Sequence, residues 1–144
     1  MVLRKVLGAF TMVLLTGVYA YAGELYLQDA LGYYNEGVQA QNSGDLDTAR
    51  DCYKKTLILL SGIREDIAKA IYNNLGVMDI SEGRWESAAR NFNEALVIDP
   101  DYKEVNFNMG IFYAKMGSAG KALAYWGKAL NKTDSYMLIG EKKE

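Results

Sequence analysis

The chain has 144 residues, of which 50% are hydrophobic and 24% charged, with a formal net charge of -2, one proline, one cysteine and no histidine. That composition describes one ordered globular domain, neither disordered nor framed by disulfides. Without histidine, Ser-His and Cys-His nucleophile pairs cannot be built, and the commonest metal ligand and proton shuttle is missing.

At the start of the chain, Arg4 and Lys5 precede an apolar run from Val6 to Val18 that ends in Ala20-Tyr21-Ala22, followed by Gly23 and Glu24. A basic flank, an apolar stretch and an A-x-A ending form the pattern of an export signal, so residues 1–22 are expected to be cleaved after Ala22. The protein is then expected in the periplasm or secreted, with no membrane attachment after cleavage. The alternative is an uncleaved anchor, because Val6 to Ala22 is 17 residues, the short edge of spanning length. No cysteine follows the run, which speaks against lipid attachment at a new N-terminus. Cleavage leaves 14 basic against 18 acidic side chains, and nothing there indicates a nucleic-acid or anionic-membrane surface. Cys52 has no internal partner for a disulfide and reads as a small buried hydrophobe, with an intermolecular disulfide as the minor alternative.

Internal repeats organise the rest. Gly44-Asp45-Leu46, Gly83-Arg84-Trp85 and Gly117-Ser118-Ala119 open similar segments, spaced by 39 and 34 residues. Aligned, they place Gly37, Gly76 and Gly110 in one column. Ala49, Ala88 and Ala122 follow in a second, Tyr53, Phe92 and Trp126 in a third, and Thr56, Ala95 and Ala129 in a fourth. Pro100 closes the second segment. Apolar residues such as Ala88, Phe92, Ala95 and Leu96 follow helical periodicity, strand-like alternation is absent, and the fold class is expected to be all-α.

This set of columns resembles the tetratricopeptide repeat over about residues 30–134. The resemblance implies antiparallel helix hairpins stacked as a right-handed α-solenoid. Repeats are expected at about 30–63, 69–102 and 103–134 within a domain of residues 23–134, followed by a short tail or partial cap at 135–144. With Ala30, Lys69 and Lys103 as column 1, the family's aromatic preference at column 4 is met by Tyr33 and Tyr72 but not by Asn106. At column 7 Glu36 departs from Leu75 and Met109, and at column 32 only Pro100 is kept. The five additional residues between the first two repeats, near Ser61 to Asp66, are expected to lengthen a helix end or a loop.

Physical chemistry supports the columns independently. A glycine inside a helix costs about 1 kcal/mol relative to alanine, so three at one column need a compensating close approach of helices. The expected partners are Ala49, Ala88 and Ala122 across each hairpin. Gly44, Gly83 and Gly117 suit the left-handed turn that ends each first helix, and Asp45 and Ser118 are expected to cap the second helices.

The chemical motifs fail individually. The stretch from Gly117 to Ala122 ends like a phosphate-binding loop, but Lys115 stands where the first glycine is required, Ala122 where Ser or Thr should follow the lysine, and no strand precedes it. Asp45, Asp47 and Asp51 suggest a calcium loop until the intervening position is read as Ala49. The pairs Asp99 with Asp101 and Glu65 with Asp66 are better explained by the acidic preference of helix starts than by acid-base chemistry. No catalytic residue, metal ligand or cofactor is expected.

What remains is the concave face that the resemblance implies for the first helices. Column 6 is Asn35, Asn74 and Asn108. Column 5 is Tyr34, Asn73 and Phe107, and column 9 is Val38, Val77 and Ile111. A side-chain amide offers a donor and an acceptor, the complement of an extended peptide backbone, and the apolar column lies beside it. The second explanation of the asparagines is local helix packing, and both stay open on sequence alone. The Lys, Asn and Arg cluster with which some relatives grip acidic C-termini is largely missing. The resulting expectation is a non-catalytic module holding a peptide segment or partner helix of an unidentified protein, in a cell-envelope assembly. The alternative is a structural subunit, a homodimer or longer array, that associates end to end through its repeat ends.

Overall fold

The computed structural model describes the backbone of residues 2–61 and 64–130, and side chains within that range from Tyr21 onward except Ala22. Among the described residues there are six α-helices and no strand: α1 Val2–Ser43, α2 Leu46–Leu59, α3 Glu65–Ser81, α4 Trp85–Ile98, α5 Lys103–Lys115 and α6 Ala119–Ala129. They pair in sequence as three hairpins, α1 with α2, α3 with α4 and α5 with α6. The chain divides into two compact units, residues 1–61 with one hairpin and residues 62–144 with two.

Each hairpin turns on a glycine in the left-handed region, with φ of 84° at Gly44, 73° at Gly83 and 74° at Gly117. The amide after each glycine donates to a carbonyl five residues back: Asp45 to Ala40, Arg84 to Asp79 and Ser118 to Tyr113. A side chain bearing Cβ is disfavoured at such a φ, so the turn is written locally in all three repeats. Asp45 also caps α2, accepting from the Thr48 amide at 3.1 Å. The expected cap at Ser118 is not made. Its side chain forms no capping bond, and α6 starts without one, as does α4 behind Arg84.

The glycine column packs differently from the sequence expectation. The atoms nearest a Cβ at Gly37 belong to the Tyr53 ring, at Gly76 to Phe92 and at Gly110 to Trp126, rather than to the alanines. The ring is the larger object, and it comes so near the first helix only where that helix has no side chain. Ala49, Ala88 and Ala122 are themselves buried.

In the second unit, a core of Ala88, Phe92 and Ala95 from α4 joins Val105, Met109 and Phe112 from α5. Tyr72, Ile80, Trp85 and Leu96 pack around it, with the Trp85 and Phe112 rings 6.1 Å apart. In the first unit, Ala30, Ala49, Cys52 and Tyr53 are buried together with Thr56, whose hydroxyl donates to the Cys52 carbonyl at 2.9 Å and lies 3.3 Å from that of Ala30. That bonding accounts for a threonine in a column otherwise filled by alanine.

Helix α3 begins at Glu65, four residues before column 1, so part of the additional segment extends a helix start. Residues 62 and 63 lie outside the described residues. The backbone of α1 runs unbroken through Ala22 and Gly23. The apolar side chains of the expected signal lie outside the description, as does the expected partial cap over residues 135–144.

Candidate functional site

The asparagine and apolar columns occupy the first helix of each hairpin. In the first unit, α1 carries Tyr34, Asn35 and Val38. Asn35 is exposed, Val38 half-buried, and the half-buried Tyr34 ring lies 6.1 Å from that of Tyr53. In the second unit, α3 carries Asn73, Asn74 and Val77, and α5 carries Phe107, Asn108 and Ile111.

Within that second unit the amides are joined. Asn108 Nδ2 donates to Asn73 Oδ1 at 2.8 Å, linking α5 to α3, and Asn73 Nδ2 is 3.5 Å from Asn74 Oδ1. The contact between the two first helices thus joins Asn108 of column 6 to Asn73 of column 5. A repeat stacked on its neighbour is offset, which brings column 6 of one helix opposite column 5 of the next. The pairing consumes one N–H of Asn108 and one acceptor site of Asn73, so polar capacity remains on both. Beside them Phe107 is 55% exposed and Val77 36%. The surface is a neutral strip of amides flanked by apolar side chains. The Phe107 carbonyl accepts from Trp126 Nε1 at 3.2 Å, which ties the α5 end of the strip to α6.

Asp99 and Asp66, two of the acidic residues weighed for chemistry, are engaged locally. Asp99 pairs with Lys69 and accepts from the Asp101 amide at 3.1 Å. Hydrogen bonding to Lys69 holds its carboxyl below the ordinary range. Asp66 is bridged by Arg64 at 2.7 Å, and that hydrogen bonding lowers its pKa to about 2. Among the described residues no three Cys, Asp or Glu side chains converge as a metal site would require. Cys52 is buried, and burial pushes its thiol above the ordinary value, the opposite of a reactive thiolate. Lys121, the lysine of the phosphate-loop-like stretch, lies over the Tyr113 ring at 4.9 Å.

Two features had no interpretation in sequence. Asp79 is fully buried, with Oδ1 accepting from Arg84 Nε at 3.1 Å and Oδ2 from Asn91 Nδ2 at 2.7 Å. It fastens α3, the turn and α4 together. The available signal was an acid at a position where the other repeats hold Ala40 and Tyr113. Asn106, the departure at column 4, is buried, and its Nδ2 donates to the Pro100 and Tyr102 carbonyls at 3.1 and 3.0 Å. It replaces an aromatic ring by a bond to the turn that Pro100 opens.

Successive helix hairpins with small residues at the crossing, a ring on each glycine and a left-handed glycine at each turn are the architecture of tetratricopeptide repeats. Residues 76–117 match the family model described as TPR repeat. The chain is also similar to the Photosystem I assembly protein Ycf3 of Prochlorococcus marinus strain MIT 9301, 31% identical over 85 residues, 59% of this chain and 48% of that protein. The protein of the same name from Synechococcus sp. strain CC9605 is 30% identical over 90 residues, 62% of this chain and 51% of that one. The chain thus spans about half the length of these curated relatives. A repeat of this class suggests a protein-interaction module.

Proposed function

We propose that the chain is a non-catalytic adaptor that holds an extended peptide segment of a protein partner against α3 and α5, the first helices of the two hairpins of its second unit, within an assembly of the cell envelope. The observation that carries this reading is the Asn73–Asn108 pairing beside exposed Phe107 and Val77. A partner helix has its backbone groups satisfied internally, whereas an extended segment offers unpaired N–H and C=O groups to the amides. The apolar neighbours favour a segment of low charge. Asn35 and Val38 repeat the pattern on α1. The relatives bear the name of an assembly protein, which supports an assembly role without specifying the complex. Export rests on Arg4, Lys5, the apolar run and Ala20-Tyr21-Ala22.

The test is photo-crosslinking in cells from a reactive residue at Phe107, with Val97 as control, an exposed apolar position on the second helix of its hairpin. A discrete partner is expected at Phe107 and not at Val97. Equal crosslinking at both positions overturns the binding face. The purified protein is expected to have the mass of a chain starting at Gly23, and full-length chain recovered in membranes overturns the export reading.

A further inference from the structure

In the second hairpin Asp79 and Asn91 meet across α3 and α4, bonded at 2.7 Å. The third hairpin holds Tyr113 and Tyr125 at the same two columns, and their rings stack 5.4 Å apart. The buried Phe112 ring meets Tyr113 edge-on at 5.2 Å, so the stack is held from within. Lys121 Nζ lies 4.9 Å from the Tyr113 ring centroid and Lys128 Nζ 5.1 Å from that of Tyr125. Residues 121, 125 and 128 recur at helical spacing and share one face of α6. That face carries charge of one sign. No Asp or Glu stands between Glu104 and Asp134, a span that holds Lys115, Lys121, Lys128 and Lys132, although the chain as a whole is net acidic. Among the described residues Arg64, Lys69 and Arg84 are paired with carboxylates, whereas Lys121 and Lys128 are exposed and paired with none. A ring face engages only part of an ammonium group, so both lysines keep N–H donors for another acceptor. Burial pushes the Tyr125 hydroxyl above its ordinary value, so the phenol keeps its proton and can donate as well.

We propose that Lys121 and Lys128, set over the stacked Tyr113 and Tyr125 rings, form a second docking site that takes an acidic segment of a protein partner through its carboxylates. The two lysines are about 10 Å apart along α6, the span of about three residues of extended chain, so carboxylates three residues apart in the segment meet one ammonium group each. Charge-assisted bonds from the lysines, with the phenol hydroxyls beside them, suit a carboxylate better than a neutral amide. The site is separate from the amide strip, because Tyr113 lies six residues after Phe107, about 120° round α5. An anionic bilayer is a poorer occupant. Leu123, the exposed leucine of α6 that would have to insert, lies about 160° round the helix from Lys121, so one flat surface cannot take both.

The test is a titration of the full chain with a synthetic peptide carrying glutamate at every third position, and with its glutamine counterpart, followed by the ring NMR signals of Tyr113 and Tyr125. The glutamate peptide is expected to shift both rings, less so at high salt, and the glutamine peptide to shift neither. Lys121→Gln with Lys128→Gln, both at exposed positions, is expected to keep the circular dichroism spectrum and to weaken binding about tenfold, while Lys121→Arg with Lys128→Arg retains it. No shift with the glutamate peptide, or equal shifts with both peptides, overturns the proposal. So does binding that survives the glutamine substitutions. Binding of phosphatidylglycerol vesicles that is lost with the same two lysines, in a chain that ignores the glutamate peptide, also overturns it, since a lipid surface is then the occupant.

Discussion

At the scale of the residue, the glycine column shows how one packing solution meets three environments. A Cβ at Gly76 would lie 2.5 Å from Phe92, which is fully buried and has nowhere to move. At Gly110 the approach to Trp126 is closer, 2.2 Å, but that indole is only half-buried and has room to turn outward, losing its bond to the Phe107 carbonyl. Overpacking typically costs about 1–3 kcal/mol, whereas alanine in place of an interior helical glycine gains about 1 kcal/mol. We expect Gly76→Ala to lower the melting temperature clearly and Gly110→Ala to lower it less. Gly32→Ala, with nothing within 4 Å of its Cβ, is expected to leave it equal or raised. Thermal unfolding by circular dichroism ranks the three, and a larger loss at Gly110 than at Gly76 contradicts the argument. The rings also differ in their polar ends. The Tyr53 hydroxyl donates to Gln41 at 2.7 Å, and the Trp126 indole to a backbone carbonyl. Phe92 has no polar group to place, and in its hairpin Asp79 supplies the polar fastening instead.

At the scale of the element, the three second helices start alike in backbone and unlike in side chains. Asp45 accepts from Thr48, and that hydrogen bond holds the Asp45 carboxyl below its ordinary value. Ser118 makes no equivalent bond despite being a good capping residue type. Loss of a formed cap costs about 0.5–2 kcal/mol. Asp45→Ala is therefore expected to destabilise the protein measurably, and Ser118→Ala to change stability by much less. Chemical denaturation of the two variants checks this, and equal losses would mean that Ser118 caps α6 in solution. Sequence identifies which residues suit a cap, but the bond also requires the side-chain rotamer and the backbone of the next turn to coincide.

At the scale of the whole molecule, the three hairpins are chemically unequal at corresponding positions. Ile71, Leu75 and Met78, like Val105, Met109 and Phe112, are apolar and buried, whereas Gly32, Glu36 and Gln39 are polar or small and exposed. An exposed polar face offers a second copy little apolar surface to bury. We expect the unsubstituted protein not to form head-to-tail chains. Glu36→Leu with Gln39→Phe is expected to introduce concentration-dependent association by creating an apolar patch on the surface. Sedimentation velocity across a concentration series decides, and head-to-tail chains formed without the substitutions would show that the polar face does not protect.

The sequence by itself determined the hairpins. Helical periodicity, the turn glycines and the recurring small and aromatic columns are local signals, satisfied within a few turns of one helix, and they reappear at Gly44, Gly83 and Gly117 with the backbone angles they imply. The residues of the candidate strip, including Asn73, Phe107 and Asn108, were legible because column identity fixes which side of a helix a residue occupies. Their pairing was not. Which ring rests on Gly76, which side chain the Asn108 amide meets, and where the Asp79 carboxylate finds its partners depend on the offset between helices separated along the chain. That offset is set by the summed packing of bulky side chains such as Phe92, Met109 and Phe112, which no single column encodes.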